Sequence, residues 1–172
     1  KQREDLNDLS DNLTLKYYES PAGVITGAKI LPDAQFDKDA MSTFINASIK
    51  DGSDPKNIAI IYKSVTQADF KDLQDVASQY NIQLLKEDEM QGSEFDYVIL
   101  STNLNPLSTD YADSPLDYAK SLNTLFSRSK LGVLARQSGL SIKNERSNFN
   151  DRHEIPKDVL DKFKESRLFP LR

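Results

Sequence analysis

The sequence predicts an α/β domain built on a largely parallel sheet with helices on both faces. Three observations predict it. Apolar runs and amphipathic stretches alternate in the order strand, helix, strand, helix, strand, strand, helix, strand. Two runs, Ile58-Ala59-Ile60-Ile61-Tyr62 and Tyr97-Val98-Ile99-Leu100, are short and continuous, as strands buried on both faces are. A chain of 172 residues with 38% hydrophobic and 28% charged side chains is of single-domain size and can bury a core.

The elements follow in order. Residues 1–20 are polar and rich in Asp and Asn, and read as a frayed lead-in or short helix that Pro21 and Gly23 end. Gly23 to Ile30 is a candidate strand interrupted by Gly27. Phe36, Ala40, Phe44, Ala47 and Ser48 recur at helical spacing over 34–50, with Asp33 placed to cap the start. Asp51-Gly52-Ser53-Asp54-Pro55 is a loop, and the 58–62 strand follows it. Thr66 and Asp69 form a capping pair for a helix whose face is Leu73, Val76, Ala77 and Tyr80. Short strands are expected at 82–85, 97–100 and 131–135. Ser114-Pro115-Leu116-Asp117 starts a helix with the stripe Leu116, Ala119, Leu122 and Phe126. Pro156 starts a final amphipathic helix bearing Val159, Leu160 and Phe163. The domain organisation expected is a lead-in over 1–20, one domain over 21–140 and a tail over 141–172.

Composition excludes several function classes. No apolar stretch approaches the ~20 residues of a membrane span, and no charged n-region leads into an apolar h-region, so no retained signal peptide is expected. Cysteine is absent, which removes disulfides and cysteine metal sites. The single histidine, His153, lies in a polar tail and makes a histidine metal site or a Ser-His triad improbable; no metal ligands are assigned. A cytoplasmic setting fits. The chain starts at Lys1 rather than Met, so a piece of a longer protein is expected. Charge is uneven: residues 1–119 hold 10 Lys/Arg against 21 Asp/Glu, whereas residues 120–172 hold 12 against 6. An acidic chain of this kind can still turn a basic face toward an anionic partner.

No phosphate loop, dinucleotide fingerprint or nucleophile elbow occurs. Two other segments stand out. In Gln91-Gly92-Ser93-Glu94-Phe95-Asp96 a glycine and two acids precede a buried strand, and Gly92 lets backbone approach a ligand closely. A plain turn with Glu94 exposed accounts for the same residues. In Leu122-Asn123-Thr124-Leu125-Phe126-Ser127-Arg128-Ser129-Lys130, Arg128 ends a helix just before a strand. A cation there suits the helix dipole, or presents a guanidinium to phosphate.

Together the two segments resemble motifs V and VI of superfamily 1 helicases. Residues 91–96, followed by Val98-Ile99-Leu100, are similar to the Q-G-S-E-F-D of RecD-like members. Residues 122–130 are similar to L-Y-T-A-x-T-R-A-K, in family order and about thirty residues later. Ile58 to Ser64 resembles the family's preceding strand and its basic turn. The likeness spans roughly residues 24–136 and corresponds to the second RecA-like domain of UvrD/Rep, RecD and HelD-type helicases. It implies a P-loop NTPase-type fold without a phosphate loop of its own, acting on single-stranded DNA with ATP and Mg²⁺ held mainly by an N-terminal RecA-like domain. Arg128 matches the arginine finger. Gly92 and Glu94 match residues at the ribose and γ-phosphate side, and Gln91 the position linking nucleotide to nucleic acid. Lys63 and Ser64 fall where the family contacts the DNA backbone. Alone, such a domain is expected not to hydrolyse ATP.

The chain departs from the family at Asn123, Ser127 and Ser129, which replace Tyr, Thr and Ala. Asp88 stands where a polar residue usually lies near nucleic acid, and an acid there repels phosphate. The Y-R-S segment of motif IV has no match, since Tyr18-Glu19-Ser20 carries the wrong residue; it is expected upstream of Lys1 with the phosphate loop. Two alternatives stay open. One is a HelD-like translocase whose partner is RNA polymerase. The other is a catalytically inactive α/β interaction module.

Overall fold

The computed structural model describes residues 14–89, 93–102, 128–137 and 143–147. Strand β1 (Thr14–Glu19) opens the chain, where a frayed lead-in or short helix is expected. Leu15 and Tyr18 explain the difference, because both are fully buried and suit a pleated surface better than a solvated helix. Pro21 and Gly23 make a hairpin turn rather than a mere break. Gly23 N–H donates to the Ser20 carbonyl at 2.9 Å, and Gly23 takes a φ of 88°. Strand β2 (Ile25–Leu31) returns antiparallel, with Tyr17 opposite Gly27.

Asp33–Gln35 form a 3₁₀ turn after Pro32, so Asp33 does not cap the first long helix. Asp37 does, its carboxylate accepting from Ala40 N–H at 2.8 Å. Helix α1 (Lys38–Lys50) then buries Met41, Phe44, Ile45 and Ala47. Strand β3 (Ile58–Lys63) is buried at its first four residues, as its apolar run predicts. Helix α2 (Gln67–Tyr80) is capped as expected, Thr66 Oγ1 accepting from Asp69 N–H at 3.1 Å. It ends on Asn81 in the left-handed region, a common stop signal. Strand β4 (Gln83–Lys86) is short and half-exposed. Strands β5 (Phe95–Thr102) and β6 (Ser129–Arg136) are each longer than the apolar runs that announce them. Strand β7 (Lys143–Arg146) comes from the segment expected as a tail.

The sheet has seven strands in the order β4-β3-β5-β6-β2-β1-β7. The five from β4 to β2 are parallel; β1 runs antiparallel to β2 and parallel to β7. The result is the α/β class with a largely parallel sheet that the sequence predicts. Helices α1 and α2 share one face, where Phe44 meets Tyr97 edge-on at 5.8 Å amid Ile58, Ile60, Ile99 and Leu134. On the opposite face Ala59, Ile61, Val98, Leu100 and Val133 are also buried. The helices expected over 114–126 and from Pro156 lie outside the described residues.

Two details hold the sheet's middle and far edge. Gly27 and Gly132 are register partners on neighbouring strands. A Cβ on Gly132 would run into the Ile25 carbonyl oxygen and stand 3.2 Å from the buried Tyr97 ring. Asn144 of β7 bridges where β1 and β2 diverge. Its amide donates to the Leu15 and Ala28 carbonyls at 3.0 and 2.8 Å and accepts from Ile30 N–H at 3.0 Å. One side chain thus replaces missing ladder bonds. Among the described residues no helix is long and apolar enough to cross a membrane.

Candidate functional site

The sequence-selected residues divide between the two ends of the parallel strands. At the amino end, Glu94 leads into β5 and Arg128 into β6. These strands are neighbours, with Phe95 opposite Ser129, so pairing alone brings the two motif-like segments together. Phe95 N–H donates to the Arg128 carbonyl at 2.8 Å, and Arg128 Nη1 donates back to the Ser93 carbonyl at 3.2 Å. The Arg128 side chain is half-buried, and its Nε is buried with no hydrogen-bond partner among the described residues. Ser129 Oγ lies 2.7 Å from the Gly132 carbonyl and 3.1 Å from the Asp96 carbonyl, across the register shift between Phe95 and Tyr97. Ser129, a departure from the helicase pattern, therefore fastens the starts of β5 and β6. Asp96 accepts from Ser53 Oγ at 3.2 Å, which ties in the loop before β3. Glu94 faces Lys130 at 3.9 Å, both well exposed, a pair of little energetic weight. Gln91 and Gly92 lie outside the described residues.

At the carboxyl end, Lys63 closes β3 and Ser64 turns the chain with a φ of 57°, unusual for a residue with a Cβ. Lys63 Nζ lies 3.6 Å from Glu87, on the 3₁₀ turn Glu87–Glu89 that follows β4. That turn is pinned by Glu89, whose carboxylate accepts from Lys86 N–H at 2.9 Å. The acidic run Glu87–Glu89 is thus an ordered turn that sets Glu87 beside Lys63. Arg136, at the end of β6, sits between two acids: Nη1 is 2.8 Å from Asp69 and Nε 3.3 Å from Asp33. The Arg136 hydrogen bond, helped by its charge and by Thr66, holds the Asp69 carboxyl below the usual aspartate range against a desolvation penalty. The same bond pushes Arg136 upward. Sequence reasoning passed over Arg136, whose only signal was a lone cation ending an apolar strand.

Eight residues of β5 and of β6 separate the two ends, roughly 25 Å at about 3.3 Å per residue. Glu94 and Arg128 are therefore brought together, while Lys63 and Ser64 stand on the far side of the sheet. Among the described residues no group of His, Cys, Asp or Glu is arranged to hold a metal ion.

No protein-family model matches this chain, and no curated protein matches it either. Among solved structures it is similar to the C-terminal domain of a possible DNA helicase from Lactobacillus plantarum WCFS1. That likeness has 15% identity and a TM-score of 0.43, and covers 84% of this chain and 95% of the other.

Proposed function

We propose that this chain is the C-terminal RecA-like domain of a superfamily 1 DNA helicase. It supplies Arg128, with Gln91, Gly92 and Glu94, to an ATP site completed by an N-terminal RecA-like domain. One observation carries the reading. The two segments that resemble motifs V and VI meet at one end of the sheet, joined by the Phe95–Arg128 and Arg128–Ser93 hydrogen bonds. A shared site requires that meeting.

The chemistry follows from charge. A guanidinium at the γ-phosphate offsets the charge that develops during phosphoryl transfer, an effect of about 10³–10⁵ in rate. Arg128 exchanges its bond to the neutral Ser93 carbonyl for bonds to anionic phosphate oxygens, in which both partners are charged. Mg²⁺ is held mainly by the N-terminal RecA-like domain, as the resemblance implies. Lys63 and Ser64 face single-stranded DNA at the opposite end, gripping backbone phosphate with the salt dependence such contacts carry.

The test is steady-state ATP hydrolysis by the longer protein containing this chain, with and without single-stranded DNA. Arg128→Ala is expected to lower kcat by about 10³ with a much smaller change in ATP affinity. Unchanged turnover in Arg128→Ala overturns the reading. It would instead favour an interaction module, in which the inward Arg128–Ser93 bond is purely architectural. ATP turnover with tight RNA polymerase binding and no duplex unwinding would move the proposal to a polymerase-directed translocase.

A further inference from the structure

The carboxyl end of the sheet carries a contact that the helicase reading does not contain. Lys63 does not stand alone there. Tyr62 and Lys86 are register partners in β3 and β4, so the residues that follow them, Lys63 and Glu87, leave the sheet side by side. Their side chains meet at 3.6 Å, with the Glu87 side chain only 17% exposed. The turn that delivers Glu87 is rigid for a local reason, since Glu89 accepts from Lys86 N–H at 2.9 Å. Asp88 and Glu89 project from the same turn and are exposed. The lysine offered to phosphate is thus paired with one acid, and two more follow that acid on the same turn.

We propose that Glu87 holds Lys63 back from nucleic acid, so that the acidic turn Glu87–Glu89 sets how tightly this end of the domain grips a phosphate backbone. This rests on the reading of Lys63 as a strand contact. A phosphate must displace the Glu87 carboxylate before Lys63 can pair with it. The lysine then contributes less than a free lysine does, and the strand is released more readily when the domain moves. Half-exposed ion pairs set the scale: opening one costs about twofold to fivefold in affinity.

The experiment measures binding of a fluorescein-labelled oligothymidylate to the full chain by anisotropy at low ionic strength, over a salt series. Glu87→Gln keeps shape and hydrogen-bonding capacity while removing the charge. It should tighten binding about twofold to fivefold and steepen the log–log salt slope by up to about 0.7, the increment for one more phosphate contact on a single strand. Lys63→Met should weaken binding, and the double variant should bind as Lys63→Met does. If Lys63→Met weakens binding but Glu87→Gln leaves it unchanged or weaker, the restraint is overturned and Lys63 remains a strand contact. Equal tightening by Glu87→Gln in both backgrounds also overturns it, because the effect is then general charge and not the pair. No effect of Lys63→Met overturns the strand-contact reading and the restraint with it.

Discussion

The two ends of the parallel strands are held by different forces. At the amino end the bonds run to backbone: Phe95 N–H to the Arg128 carbonyl, Arg128 to the Ser93 carbonyl, and Ser129 Oγ beside the Asp96 and Gly132 carbonyls. At the carboxyl end they run between charged side chains: Lys63 to Glu87, and Arg136 to Asp69 and Asp33. Backbone hydrogen bonds in a buried setting are nearly indifferent to salt and pH, whereas half-exposed ion pairs yield to both. The amino end therefore keeps one geometry as conditions change. The carboxyl end is open to rearrangement by salt, pH or a competing anion. Strands β5 and β6 run unbroken between them and tie the two behaviours into one body.

The sharpest way to break this comparison is to spoil the amino end from within. Gly132 has no room for a methyl group, since the Ile25 carbonyl and the Tyr97 ring already occupy the space. Gly132→Ala should cost about 3 kcal/mol, a fall in Tm of about 6–12 °C by calorimetry. Both ends should be lost together, because β6 is central to the sheet. A variant as stable as the parent would mean that β2 and β6 separate easily and that the amino end is not rigid.

A gentler change isolates the fastening itself. Ser129 is buried, and its hydroxyl serves two carbonyls at the base of β5 and β6. Ser129→Ala should cost about 1 kcal/mol, with the same loss at low and high salt. A salt-dependent loss would show that the amino end also leans on charge, as through Glu94 and Lys130, and would erase the contrast.

What the sequence revealed follows the same division of forces. Burial leaves a pattern, so β3 and β5 were legible from Ile58–Tyr62 and Tyr97–Leu100. Local capping leaves one too, and Thr66 with Asp69 marked the start of α2. Bonds made at long range leave none. Lys143–Arg146 is polar throughout, and only Asn144, reaching residues more than a hundred positions away, shows why it joins the sheet. Asp33 is placed to cap the helical spacing over 34–50, yet Asp37 takes that place and Asp33 turns to Arg136. The starts of β5 and β6 were paired by motif resemblance before geometry placed them side by side. The Lys63–Glu87 pair leaves no signal in the sequence, since Glu87 lies 24 positions along the chain.

The smallest expected effect lies at the carboxyl end and sharpens the comparison through pH. Asp69 is held below the usual aspartate range by the Arg136 bond, so its folded carboxyl loses protons more readily than its unfolded one. The unfolded state then binds more protons through the acid range, and stability from this pair is fully present above the ordinary aspartate value. It is lost as pH falls through the lower folded value. Arg136 stays protonated throughout and adds no titration of its own in that window. Because the Asp69 side chain is 36% exposed, solvent screening keeps the contribution below about 1 kcal/mol. Asp69→Asn should therefore lower Tm by less than about 4 °C at neutral pH, and the difference from the parent should shrink toward zero in acid and in high salt. Ser129→Ala, measured beside it, should show neither dependence. If Asp69→Asn loses the same stability at every pH and salt, the Arg136 cluster acts as a neutral hydrogen-bonded fastening. The two ends of the sheet would then be held by one kind of force.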